Sequence, residues 1–407
     1  MQKIRLDAGA AVLLARLQQA GYAAYAVGGC VRDSLMGRTP HDWDLCTSAR
    51  PEQVLALFGE EQCIPTGLQH GTVTVKYGGQ LYETTTFRTE GSYTDGRHPD
   101  EVHFVPDVRQ DLARRDFTIN AMAYNDAEGI IDPFGGQQDL QQGILRAVGD
   151  PVTRFEEDAL RILRLYRFAA RFGFAIDPLT GQAAEALCAH LDCVSVERVE
   201  EELAKLLSAP APAAYLDEKI LSVILPELST PALQAAKPVV DACPAGAEDL
   251  PVRWAALLMR LGEDGTRKAL KRLRCSNALI EETAVLVRET GGKAPAAPDT
   301  AIHIRKLLGR YDLKTVQRLA ALGTAMEPEQ AAEFAAQAEL AAQLDADGVC
   351  CRVSQLAVNG RDLMAAGIPA GPGLRKALEA LLDAVIRGQL PNERQRLLDA
   401  VRENSAS

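Results

Sequence analysis

The feature that most restricts the fold is a change of periodicity near Pro151. Up to about residue 145, short apolar runs alternate with period two between glycines and polar turns, the pattern of half-buried strands. Beyond Pro151, Ala, Leu, Glu and Arg recur at 3.6-residue spacing and no further strands are expected. The chain therefore reads as an α/β head with a small mixed sheet, followed by an all-α remainder. Strands are expected over residues 22–27, 43–46, 102–105 and 119–124. Residues 72–77 and 80–87 flank Gly78-Gly79 as a β-hairpin. Residues 1–22 read as a first helix and not a signal peptide, because Asp7 and Arg16 interrupt the apolar stretch and no small-residue cleavage site follows.

At about 150 residues per domain, 407 residues correspond to roughly 2.7 domains. Pro/Ala/Gly-rich joints fall at 209–213, 237–250 and 291–300. No apolar run approaches the roughly 18 residues of a membrane span, so a soluble, cytoplasmic protein is expected. Nine scattered cysteines without a CxxC pair argue for reduced, packed thiols and against a disulfide scaffold or zinc ribbon. His41-Asp42 has no second histidine nearby to complete a metal-phosphohydrolase set. A net charge of -11 opposes indiscriminate polyanion binding, so any nucleic-acid surface has to be local.

Several segments carry chemistry. Gly28-Gly29 lies between an expected strand and a helix beginning near Val31, where backbone amides and a helix N-terminus can receive phosphate; the competing account is an ordinary turn. Ten residues past Arg32, Asp42-Trp43-Asp44 places two carboxylates at i and i+2, which on a strand share a face and can ligate hard divalent ions. A solvated Asp-x-Asp loop is the alternative. Glu83, in the second hairpin strand, can add a third carboxylate or pair a cross-strand cation. Arg114-Arg115 can clamp a triphosphate, or pair with Asp111 or Asp116.

Asp158, Arg161, Arg164 and Arg167 follow at threes, one helical face carrying a carboxylate and a guanidinium ladder. A surface salt-bridge ladder explains that spacing. So does a protein template: Asp accepts from an exocyclic amine while Arg donates to the neighbouring ring acceptor, an edge that cytosine and adenine share and uracil and guanine reverse.

Together these segments resemble the class II tRNA nucleotidyltransferases, the bacterial CCA-adding enzymes of the DNA polymerase β nucleotidyltransferase superfamily. The resemblance rests on GGCVRD (28–33), DWD (42–44), RRDFTINAMA (114–123), DPFGG (132–136), EDALRILR with RFAARFGF (157–174) and Glu197-Arg198, in that order. Residues 359–363, 371–373 and 390–392 resemble the tail of the shorter Gram-positive-type enzymes. It implies a nucleotidyltransferase head (1–145), a helical neck with the nucleotide-selecting motif (146–208), a body (209–298) and a tRNA-binding tail (299–407). The implied reaction is template-independent, Mg2+-dependent addition of CCA to the tRNA 3′ end from CTP and ATP, with no DNA or membrane partner and no oligomeric state specified.

Position by position, the resemblance implies that Asp42 and Asp44 hold magnesium, and that Gly29, Arg32, Arg115, Asp158, Arg161, Arg164 and Arg167 contact the nucleotide. Glu197 and Arg198 brace the neck, and Glu83 joins the catalytic carboxylates. The polar loop over 88–103 resembles that of CCA-adding and A-adding relatives, so A-only addition and poly(A) synthesis remain alternatives, as does an inactive RNA-binding homologue. The densest basic run, Arg267, Lys268, Lys271, Arg272 and Arg274, can follow a tRNA backbone or form a solvated helix face.

Overall fold

Alternating apolar residues in the first third of the chain assemble one mixed sheet in the computed structural model, which describes residues 3–91, 102–290 and 300–405. Helix α1 (Ala8–Gln19) leads into β1 (Ala24–Val27), α2 (Gly29–Leu35), β2 (Leu45–Thr47), α3 (Pro51–Phe58) and β3 (Cys63–Gly67). The hairpin β4 (Thr72–Tyr77) and β5 (Gln80–Thr86) follows. Its turn residues Gly78 and Gly79 have φ 58° and 82°, the left-handed pair that a two-residue type I′ loop demands. Strands β6 (Arg88–Glu90) and β7 (Val102–Phe104) form a separate antiparallel ribbon before α4 (Val108–Ala113). Strands β8 (Ala123–Asn125) and β9 (Gly129–Ile131) complete a seven-stranded sheet of order β3-β4-β5-β2-β1-β8-β9. Only β2 and β5 run parallel, with Leu45 opposite Thr84; the other neighbours are antiparallel.

Period-two alternation divides the buried residues between two faces of the sheet. Leu45, Val73, Val75 and Tyr82 pack with Leu13, Leu14 and Leu17 of α1. Tyr25, Val27, Cys46 and Phe87 pack with Val108 and Leu112 of α4. Two strands are shorter than their apolar runs suggest. Asp42-Trp43-Asp44 is coil ahead of β2, because β1 ends where Gly28 turns the chain into α2; one last bond, Val27 N–H to the Asp44 carbonyl at 2.9 Å, continues the ladder. Residues 118–120 form a 3-10 turn ahead of β8, held by Thr118 Oγ1 on Asp139 (2.7 Å) and Asn120 Nδ2 on Asp116 (3.1 Å).

After α5 (Gly136–Gln142), the pair β10 (Ile144–Leu145) and β11 (Ala175–Ile176) runs parallel, so the region beyond Pro151 retains one two-residue strand. Helices α6 (Pro151–Glu157) and α8 (Pro178–Ala186) start alike: an Asp side chain, Asp150 or Asp177, accepts a first-turn N–H and Pro occupies the next position. Between them lies α7 (Leu160–Phe172), and α9 (Val196–Leu207) and α10 (Glu218–Ile224) follow.

The chain divides into two compact units, residues 1–226 and 227–407. Among its described residues the second unit contains helices and no strand, including α11 (Thr230–Ala242), α12 (Leu250–Leu258), α13 (Gly262–Arg272) and α14 (Asn277–Glu289). Buried Arg253 of α12 donates to the carbonyls of Pro244 (2.8 Å) and Cys243 (3.1 Å), satisfying its charge with backbone oxygens. All nine cysteines are free, and no described helix is long and apolar enough to cross a membrane.

Candidate active site

The parallel register of β2 and β5 brings the acidic side chains together. Leu45 pairs with Thr84, so Asp44 and Glu83 are neighbours one step earlier on adjacent strands, sharing a face. Solvent reaches Asp44, Glu83 and Asp42. Even so, the protein packed around Asp44 desolvates its carboxyl and raises its pKa; Glu83 and Asp42 raise it further, and Arg115 opposes them. Asp42 pairs with exposed His41 at 3.2 Å. Among the described residues no group of three or more His, Cys, Asp or Glu side chains forms a ready-made metal centre, including around His41-Asp42. The donor set is nevertheless all hard oxygen and mutually repelling, which suits a divalent cation of the magnesium type.

Gly28 makes the turn into α2 at φ 78° and ψ -125°, where a side chain is disfavoured. A Cβ there would also lie 2.9 Å from Arg115 Nη1. Arg115 reaches Asp111 Oδ2 at 3.4 Å, and its buried Nε has no hydrogen-bond partner. Arg115 thus sets its Nη1 beside the glycine turn, and its charge acts on the Asp44 carboxyl, which places a guanidinium where an anion can pair with it. Arg114 also pairs with Asp111 (3.0 Å), so Asp111 is the shared partner of both arginines.

Arg32 is buried. It is 4% exposed, bonded through Nε to Asp33 (2.8 Å) and through Nη1 to Asn120, with its guanidinium 4.9 Å from the Phe172 ring centre and 5.4 Å from that of Phe168. Through these contacts Arg32 joins α2 to the 3-10 turn at Asn120 and to the aromatic rings of α7. Gly29 lies beside it, 3.5 Å from Arg32 Nη2 to a Cβ position.

The expected single face from Asp158 to Arg167 is also interrupted. Asp158 adopts φ -145° and ψ 101° between α6 and α7, so the run is not one helix. Its carboxylate accepts from Leu160 N–H (3.0 Å) and from Arg198 (2.8 Å), one bond to each oxygen. Arg161 donates to Glu157 (2.7 Å) and to the carbonyls of Arg154 (3.2 Å) and Arg114 (3.0 Å). Asp158 and Arg161 therefore do not present their polar edges side by side here. Arg164 binds Asp116 through Nε and Nη2 (3.0 and 2.6 Å), while Arg167 pairs with Glu202 of α9 at 2.5 Å above the Phe168 ring. The ladder fans out because its cations meet different carboxylates: Glu157, Asp116 and Glu202.

Spacing marks Asp116 only as a candidate partner for Arg114-Arg115. The structure makes it a buried hub: besides Arg164, it accepts from Asn120 (3.1 Å) and Phe117 N–H (2.8 Å). Sequence spacing carries no signal for Glu202, which lies 35 residues from Arg167, beyond any local pairing rule. In the second unit, the basic run is divided: Arg267 pairs with Glu263 (3.0 Å) and Glu281, and Arg272 with Glu227 (2.8 Å). Lys268 and Lys271 are exposed, and Arg274 holds φ 56° just past α13. The polar loop expected over 88–103 lies largely outside the described residues.

Three families match successive parts of the chain: the Poly A polymerase head domain (24–146), the probable RNA and SrmB-binding site of polymerase A (173–230), and the putative tRNA nucleotidyltransferase domain 2 (248–401). A CCA-adding enzyme of Limosilactobacillus fermentum is 39% identical, covering 96% of this chain and 95% of its own. The chain belongs to the CCA-adding enzyme family. A CCA-adding enzyme of Geobacillus stearothermophilus is 38% identical over 95% of this chain and 94% of its own length. The crystal structure of the Bacillus stearothermophilus CCA-adding enzyme in complex with CTP superposes with a TM-score of 0.81 at 34% identity, covering 98% of this chain and 97% of that one. Membership of a nucleotidyltransferase family also implies dependence on a divalent metal.

Proposed function

We propose that this chain is a cytoplasmic CCA-adding enzyme that extends immature tRNA 3′ ends by C, C and A, using CTP and ATP without a nucleic-acid template. The reading is carried by one juxtaposition: Asp44, coupled to Glu83 and Asp42, faces Arg115, whose buried Nε lacks a partner. Asp42 and Asp44, with Glu83 beside them, are the residues to hold Mg2+, which when bound activates the attacking hydroxyl and neutralises the leaving pyrophosphate. The Arg115 guanidinium and the Gly29 amide bind the triphosphate and orient its α-phosphorus toward the tRNA 3′-hydroxyl, while the Gly28 amide is held by the Met122 carbonyl at 3.0 Å. Binding of CTP or ATP requires Asp158 and Arg161 to exchange their bonds to Arg198, Glu157 and backbone for the base edge. Arg164 and Arg167, anchored by Asp116 and Glu202, hold α7 in place during that exchange. We further assign head, neck, body and tail to residues 1–145, 146–208, 209–298 and 299–407, with solvated Lys268 and Lys271 following the tRNA backbone.

The test is incubation of purified protein and Mg2+ with tRNAs ending before CCA, after C and after CC, supplied with CTP, ATP or both and read at single-nucleotide resolution. Completion from the shortest substrate, stopping after A, is the expected result. Extension of the CC-ended tRNA alone identifies an A-adding enzyme, an A tract identifies a poly(A) polymerase, and RNA binding without extension identifies an inactive homologue.

A further inference from the structure

The head carries a concavity that adjoins the acidic site without including its carboxylates. It is a groove of about 610 Å³ lined by residues 3–7, Ser34, residues 38–41, Trp43 and Gln80. Three of its side chains, Lys3, Arg5 and Arg38, are exposed cations. None of them carries an ion pair among the described residues; Arg38 lies over the Phe172 ring at 5.4 Å. The acid within the groove is already committed: Asp7 caps α1 by accepting from Gly9 (2.9 Å) and Ala10 (3.3 Å), and also accepts from the Tyr82 hydroxyl. In a chain of net charge -11, unpaired cations gathered around one concavity form a local positive surface that a polyanion can neutralise.

We propose that this groove binds the phosphodiester backbone of the RNA 3′ strand as it approaches the catalytic carboxylates, an assignment that rests on the tRNA reading above. Position selects the ligand. His41 lines the groove and its Nδ1 is 3.2 Å from Asp42 Oδ1, so a strand bound there lies next to the carboxylates that its terminal hydroxyl must meet. The side chains suit single-stranded RNA: exposed cations for phosphates and the Thr39 hydroxyl for sugar or phosphate oxygens.

The experiment compares the full-length protein with its Lys3→Gln/Arg5→Gln variant. Both side chains are exposed, and an unchanged thermal midpoint verifies folding. Binding of CC-ended tRNA is followed by fluorescence anisotropy across a salt series without nucleotide. Loss of two single-strand phosphate contacts should reduce the slope of log Kobs against log salt by about 1.4. In turnover, KM for tRNA should rise while KM for CTP stays fixed. An unchanged salt slope and tRNA KM would overturn the proposal, and so would a variant whose only change is weaker inhibition by pyrophosphate, which would assign the groove to the leaving group. Because this binding assay needs no turnover, and incorporation by the unmodified protein is scored separately, failure of the groove and failure of the CCA reading are distinguishable.

Discussion

Replacing Asp116 by Asn tests the claim that one buried carboxylate ties the neck helix α7 to the head. The carboxylate is 9% exposed and accepts four hydrogen bonds: two from Arg164 at 3.0 and 2.6 Å, one from Asn120 at 3.1 Å and one from Phe117 N–H at 2.8 Å. An Asn side chain can keep the last two through its carbonyl oxygen, but its NH2 then faces the guanidinium donors of Arg164. The loss is a charge-assisted pair, about 1.5–3 kcal/mol, with a further contribution from an arginine left short of countercharge. Glu202 at 3.8 Å compensates in part, so the expected destabilisation of the first unit is about 2–4 kcal/mol.

At roughly 2–4 °C per kcal/mol for a unit of this size, a loss near 3 kcal/mol lowers the midpoint by roughly 6–12 °C. Because the chain has two compact units, the assay is calorimetry that resolves their transitions, with Arg164→Met and the double variant completing a cycle. Acid adds a second readout. Desolvation pushes the Asp116 carboxyl up, yet the charge and hydrogen bonds of Arg164, together with Asn120 and Arg161, hold it far below the usual carboxylate range. Its folded pKa is depressed, so the stabilisation is complete above the unfolded value of about 3.9 and is lost as pH falls below it. The difference in stability between the native protein and the Asp116→Asn variant should therefore shrink below about pH 4. A loss under about 0.5 kcal/mol, the range of an ordinary surface substitution, or a zero coupling energy with Arg164, would refute the reasoning.

Three other substitutions probe the site. Gly28→Ala introduces a Cβ 2.9 Å from Arg115 Nη1 in a backbone conformation that costs about 1–3 kcal/mol for other residues; steady-state kinetics should show KM for CTP and ATP raised about tenfold, and unchanged values would remove the triphosphate assignment. Asp42→Ala, at an exposed position, should reduce incorporation by about two orders of magnitude or more while leaving tRNA affinity and melting temperature nearly unchanged; retained turnover would sink the metal assignment. Arg161→Ala should narrow the kcat/KM preference for CTP and ATP over UTP and GTP by about 5-fold to 150-fold, the worth of one bidentate base contact; an unchanged ratio would reject the template role.

Local chemistry was legible where a short stretch of chain decides it. The Gly78-Gly79 hairpin and the break in period near Pro151 depend on residues adjacent in sequence, so their reading survives folding. The pairing of the arginines was not legible. Spacing at threes for Arg161, Arg164 and Arg167 is compatible with a surface ladder, a base-reading face or separate anchors. The choice depends on Glu157, Asp116 and Glu202, the last two 48 and 35 residues from the cations they bind. The basic run on α13 shows the same limit, since Glu281 and Glu227 remove two of its arginines from the set of open cations.

By itself the sequence determined the α/β head, the helical remainder and the ordered motifs, because periodicity and turn chemistry are properties of neighbouring residues. Only the tertiary structure decided which charged groups face the site and which are spent within the protein. It buries Arg32 between α2 and α7, leaves the Arg115 Nε unmet beside Gly28, and sets Asp44 next to Glu83 through a parallel register between strands almost 40 residues apart. A charge becomes a functional group only when its neighbours do not already satisfy it, and those neighbours are chosen by the packing of distant segments.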